Sequence, residues 1–167
     1  MGHCRGPCPA WQKAYRGILP TKFLDELSVQ AGETRWRELL RAPTPDRRTQ
    51  VAESAGQVLG FVTAGVVRGE ASQPLTGEVY AIYVLPDCWG KGVGRSLLAH
   101  AERDLIDHGH DQAVLWVLAD NERARAFYEA AGWHADGGTK RDTFGGRDVE
   151  EVRYRIALDK SRVGEPL

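Results

Sequence analysis

Three glycines at alternate positions, Gly90, Gly92 and Gly94, stand between a run that reads as a strand, Glu78–Leu85, and a run that reads as a helix, residues 93–108. Glycine carries no Cβ, so a ligand can come close to its backbone. A helix start adds unpaired N–H groups and the positive end of the helix dipole. Together these features make a site for an anion of the pyrophosphate type. Lys91 and Arg95 add positive charge beside it. A bare glycine-rich turn is the plain alternative, but it leaves glycines at a helix start without a reason, where each costs about 1 kcal/mol. Two familiar phosphate loops do not fit. No Gly-Lys-Ser/Thr occurs, and G-x-G-x-x-G fails because the sixth position is Arg95 counted from Gly90 and Leu97 counted from Gly92.

A second constellation lies downstream: Asn121, Ala124, Phe127, Tyr128, Gly132 and Trp133, in the pattern N-x-x-A-x-x-F-Y-x-x-x-G-W. The run Trp89-Gly90-Lys91-Gly92-Val93-Gly94 resembles the signature loop of the GNAT superfamily of N-acetyltransferases, Q/R-x-x-G-x-G/A. Trp89 departs from it, standing where Gln or Arg is usual; it either covers an adenosine or packs on the surface. The second constellation is similar to the family's N-x-x-A-x-x-F-Y-x-x-x-G-F, with Trp133 for the last Phe. Both occur in the family's order, with a helix and a strand between them. The resemblance spans residues 11–158.

The resemblance implies transfer of an acetyl group from acetyl-coenzyme A to a primary amine of a small molecule or protein, directly, in a ternary complex. It implies that the backbone of Ile82, Tyr83 and Val84 carries the pantetheine arm, and that Gly90, Lys91, Gly92, Val93, Gly94, Arg95 and Ser96 hold the pyrophosphate. The second motif sets Asn121, Phe127 and Tyr128 beside the coenzyme, although Asn121 equally fits a plain helix cap. Trp11, Tyr15 and Trp36, with Tyr80, fall where relatives line the acceptor cleft, or are core aromatics. Dimers are common in the family, so a homodimer stays open. A non-catalytic acyl-coenzyme A sensor or interaction module of the same fold is the competing reading.

Such a transfer poses three tasks. An alkyl amine, with a pKa near ~10.4, must lose a proton. The thioester carbonyl needs N–H donors as charge builds on it. The thiolate leaves more easily when protonated. Glu78, at the start of the strand that runs into the glycine loop, is the candidate base, or else a solvated carboxylate at a strand end. Alternation would put Glu78, Tyr80, Ile82 and Val84 on one face. Tyr128 is the candidate acid, its pKa near ~10 suiting donation to a thiolate; a core aromatic is the alternative. Cys88 has no His partner in sequence range, which argues against a cysteine nucleophile.

The elements that must position these groups follow from patterning. Residues 1–9 read as a flexible lead and 161–167 as a flexible tail around one domain, 10–160. Residues 10–41 look helical, broken at Pro20, and 42–48 are a loop. Val51–Ser54 and Val58–Val67 flank Ala55-Gly56-Gln57 as a hairpin, followed by a polar loop, Arg68–Thr76. The helix over 93–108 has an apolar stripe, and Ala113–Leu118 reads as a buried strand. Asp120 or Asn121 caps the next helix, which Gly132 ends. Trp133–Phe144 and Val149–Leu158 flank Gly145-Gly146 as a second hairpin. The sum is an α+β fold: a mixed, mainly antiparallel sheet with helices on both faces, GNAT-like, in which the family's first edge strand is either absent or replaced by an irregular N-terminus.

Composition sets the outer bounds. The 167 residues are 42% hydrophobic and 27% charged, with a formal net charge of −1. That balance argues against a duplex-coating nucleic-acid partner. No apolar run approaches a membrane span, MGHCRGPCPAWQ has no signal-peptide core, and MGHCRG lacks the Ser/Thr of a myristoylation signal. Three cysteines cannot all pair internally, so the expected setting is a reducing cytoplasm. Cys4 and Cys8 beside His3 lack a second ligand pair, so no metal is expected. His100, His108 and His110 read as a solvated face.

Overall fold

The computed structural model describes residues 8–27, 46–69 and 75–159, together with positions 30, 34, 37, 41 and 161. Two short helices lead, α1 (Cys8–Tyr15) and α2 (Thr21–Asp25), with Pro20 between them as expected. The first starts two residues before the expected boundary. Trp36, Leu39 and Leu40 of the expected helical stretch, most of the 1–9 lead and the 162–167 tail lie outside the described residues. Then come β1 (Arg47–Ser54), β2 (Gln57–Val66), β3 (Thr76–Val84), a 3-10 turn at Pro86–Cys88, α3 (Val93–Asp107), β4 (Gln112–Leu118), α4 (Glu122–Ala130), β5 (His134–Phe144) and β6 (Arg147–Ala157).

The six strands form one sheet in the order β1-β2-β3-β4-β6-β5. Only β3 and β4 run parallel, and α3 is the crossover that joins them. Every other pairing is antiparallel. No strand precedes β1 among the described residues. β1 begins at Arg47, inside the expected loop, because its polar residues pair along β2: Thr49 faces Thr63, and their hydroxyls meet at 2.9 Å. Pairing to a neighbour, which no hydrophobic pattern announces, makes that edge a strand.

β4 sorts its side chains to two cores. Ala113, Leu115 and Val117 face Leu97, Leu98, Ala101 and Leu105 of α3 and Tyr128 of α4. Leu118 instead joins Leu19, Leu24 and Val149 under α1 and α2. Helices therefore cover both faces of the sheet. Each fully buried leucine of α3 contributes about 2 kcal/mol. Gln12 Nε2 donates to the Leu24 carbonyl at 3.0 Å and ties α1 to α2. Among the described residues, no helix is long and apolar enough to cross a membrane, and no group of three His, Cys, Asp or Glu side chains gathers as a metal site.

Candidate active site

The ladder between β3 and β4 ends at Val79↔Leu115. Beyond that pair the two strands part, and a cavity of about 500 Å³ opens between Val79–Val84 on one side and Trp116–Leu118 on the other. Parting two parallel strands frees main-chain N–H and C=O groups on the edges that face each other. Tyr80 marks the start of the opening. On β2, Thr63 pairs with Ala81 and Ala64 with Val79, so Tyr80 is an extra, bulged residue.

The glycine loop bounds one end of this cavity. Gly90 and Gly92 take φ +71° and +84°, the left-handed region that side chains avoid, and a Cβ on either would meet nothing within 4 Å. The backbone there is bare. Gly92 caps α3, its carbonyl accepting the Ser96 N–H at 3.0 Å, which leaves Val93, Gly94 and Arg95 as the first-turn amides. Gly94 serves packing as well: its Cβ would lie 3.4 Å from the Phe127 ring. Gly90, Gly92, Gly94 and Arg95 line the cavity with Ile82, Tyr83, Val84, Asn121, Phe127 and Tyr128. Three further residues of the loop do not line the cavity with their side chains: Lys91 and Ser96 are exposed, and the Val93 side chain packs on the core while its amide stays in the first turn. Arg95 keeps its charge at the cavity edge while its Nη1 donates to the Ala130 carbonyl at the end of α4, 2.6 Å away.

Trp89 resolves toward packing. Its indole N–H donates to the Val84 carbonyl at 2.9 Å, and its ring is covered by the Arg123 guanidinium at 3.5 Å and approached by the Lys13 ammonium at 5.5 Å. It still forms part of the cavity wall. Asn121 is the cap of α4, its Oδ1 accepting the Ala124 N–H at 3.1 Å, and it borders the cavity. Tyr128 is buried among Phe127, Trp133 and Tyr154 and borders the cavity too. Burial, and then the neighbouring Tyr15, push its phenol well above the usual tyrosine range, so it holds its proton at neutral pH.

Glu78 is placed differently from expectation. The bulge at Tyr80 resets the alternation of β3, so Ile82 and Val84 join the α3 core with Val79, and Glu78 turns to the opposite face. Glu78 is buried, 2% exposed, and does not line the cavity. Arg68 consumes its carboxylate: the main-chain N–H donates to Oε2 at 2.9 Å and Nη2 to Oε1 at 2.6 Å. The arrangement does not present Glu78 as a base to a ligand in the cavity.

The acceptor end was only partly visible in the sequence. Tyr15 and Tyr80 line the cavity as expected, while the Trp11 side chain and Trp36 lie outside the described residues. Burial raises the Tyr15 phenol; a hydrogen bond from Tyr83 pulls it back, Glu151 raises it and Arg123 lowers it, with a net rise. Tyr80 donates to the Val66 carbonyl and lies under the Arg68 guanidinium. Trp116, Arg123 and Glu151 also line the cavity and were not anticipated. Trp116 carried a signal, an indole inside the apolar run Ala113–Leu118. Glu151 carried none, since it reaches the cavity only because β6 inserts beside β4.

Comparison with known proteins agrees with this geometry. Residues 10–133 match the acetyltransferase (GNAT) family model. The uncharacterized N-acetyltransferase YuaI of Bacillus subtilis is 32% identical over 122 residues, covering 72% of this chain and 66% of YuaI. Mycothiol acetyltransferase of Kocuria rhizophila is 42% identical over 83 residues, covering 48% of this chain and 27% of that protein. The chain thus spans just under two thirds of one relative and about a quarter of the other. Among solved structures, the PaiA N-acetyltransferase of Thermoplasma acidophilum in complex with coenzyme A superposes with a TM-score of 0.69 at 19% identity, over 90% of this chain and 87% of that one. The fold is shared with that enzyme, and by the family match the chain belongs to the GNAT family of acetyltransferases.

Proposed function

We propose that the protein is an acetyl-coenzyme A-dependent N-acetyltransferase that passes the acetyl group directly to a primary amine. The observation that carries this reading is the cavity between β3 and β4, with bare glycine backbone at one end and the buried Tyr128 phenol on its wall. Acetyl-coenzyme A supplies the acetyl group as a thioester. Gly90, Gly92 and the first-turn amides of α3 bind the diphosphate. The freed edge of β3 from Tyr80 to Val84 orients the pantetheine arm and offers N–H donors to the carbonyl. Tyr128 holds a proton at Oη for the departing thiolate. Glu78 acts in this reading as the buried partner of Arg68.

Thiol release from acetyl-coenzyme A across a panel of small amines and lysine-bearing peptides tests the proposal. Turnover with at least one amine is expected. Tight coenzyme binding without turnover on any amine overturns it in favour of a binding module.

A further inference from the structure

We propose that Glu151 and the face of Trp116 form an alkylammonium site at the acceptor end of the cavity. The Lys140 side chain fills this site in the free protein, and the reacting amine takes it over. The inference rests on the N-acetyltransferase reading above and names how the acceptor is recognised.

Among the described residues that line the cavity, Glu151 is the sole carboxylate, and the other charged groups are Arg95 and Arg123, on α3 and α4. An anion suits the glycine-loop end and a cation suits the Glu151 end. Trp116 stands on β4 just past Leu115, where the ladder to β3 has ended. Glu151 on β6 is in register with Leu118 of β4 and with Lys140 of β5. Three adjacent strands therefore bring together a carboxylate, an indole and a primary ammonium.

The contacts show what the site recognises. Lys140 Nζ lies 2.9 Å from Glu151 Oε2 and 4.5 Å from the centre of the Trp116 ring. A charge-assisted hydrogen bond plus an aromatic face is how proteins hold an ammonium group. The two partners are unequal. The Glu151 side chain is 16% exposed and stands on β6, paired on both sides, whereas Lys140 is 43% exposed and reaches in from edge strand β5 on a flexible stem. The carboxylate is the permanent half and the lysine the exchangeable one. Arg153 also approaches Trp116, at 5.6 Å, but its charge is held by Asp136. The bound ammonium gives one proton to solvent to become the attacking amine, the N–C bond forms as the thioester C–S bond breaks, and the sulfur takes a proton from Tyr128, which regains one from the nitrogen; the neutral amide no longer competes with Lys140, so the lysine returns as product leaves.

The test is a calorimetric titration of n-butylammonium chloride into the full chain saturated with coenzyme A, with acetyl-transfer kinetics on the best amine of the panel in parallel. Glu151→Gln should weaken n-butylammonium binding and raise the amine KM by about tenfold or more, with coenzyme affinity unchanged. Lys140→Met should do the opposite, strengthening amine binding several-fold, which a merely structural ion pair would not produce. Melting temperatures confirm that both variants fold. Amine binding that ignores Glu151→Gln, or that weakens in Lys140→Met, overturns the inference. Glu151-dependent binding of n-butylammonium without acetyl transfer to any amine would instead overturn the transferase reading and leave the ammonium site standing.

Discussion

Arg68 closes over Glu78: its Nη2 sits 2.6 Å from Oε1 while its own main-chain N–H donates to Oε2. The two partners differ in setting, the Arg68 side chain being 65% exposed and that of Glu78 3%. This asymmetry decides what each deletion does. Arg68→Ala strands a buried carboxylate and should cost about 3 kcal/mol. Glu78→Gln leaves a guanidinium that water can solvate, and should cost about 1 kcal/mol. Denaturant midpoints of the two variants check the order.

The same contact bears on catalysis. A carboxylate held by Arg68 and absent from the cavity wall does not reach an amine bound there. Glu78→Gln should therefore keep the shape of the wild-type pH–rate profile. A lost acidic limb would return Glu78 to the role of base.

Tyr128→Phe removes one oxygen from a packed aromatic cluster and little else. Coenzyme affinity should stay within a factor of about two, while kcat falls on the order of a hundredfold, as expected when a general acid is removed. An unchanged kcat would show that the thiolate leaves without help from this phenol.

Gly92→Ala asks alanine to adopt φ +84° and should destabilise by about 1 kcal/mol. Its Cβ enters open space beside the first-turn amides of α3, so it should also weaken coenzyme A binding, read by calorimetry. Gly94→Ala differs, since the added carbon meets the Phe127 ring at 3.4 Å within an ordinary contact. It should affect binding less than Gly92→Ala does.

Local chemistry made much of this molecule legible. The glycine spacing, the Asn121 cap, the apolar β4 and the Gly145-Gly146 turn all declared themselves within a few residues of sequence. The face of Glu78 did not, because one bulged residue, Tyr80, inverts an alternation that looks unbroken in the sequence. Glu151 and Lys140 were invisible for another reason. Their meeting with Trp116 depends on β6 pairing with β4 instead of continuing outward, a choice made by the whole sheet. The irregularity of β5 lay between these cases: Gly137-Gly138 inside a strand hints at a bulge, and the register indeed slips between Ala135 and Thr139.

That slip creates a titratable device. It turns Asp136 inward, where its Oδ1 accepts the Gly138 N–H at 2.9 Å and its carboxylate meets Arg153 at 2.9 Å and Arg155 at 3.0 Å. Burial alone would raise the Asp136 pKa, but the Gly138 N–H and the two guanidinium groups outweigh it and hold the carboxyl below its usual range. A carboxyl with a depressed folded-state pKa stabilises the fold fully above the unfolded value, near ~3.9, and loses that contribution as pH falls through the folded value. Asp136→Asn should therefore be less stable than wild type by about 2 kcal/mol at pH 7. The gap should persist through pH 5 and narrow only in strong acid, as the wild-type carboxylate takes up its proton. Urea unfolding of both proteins across that range measures the gap directly. A difference that begins to shrink near neutrality would mean that the two arginines do not hold Asp136 ionised.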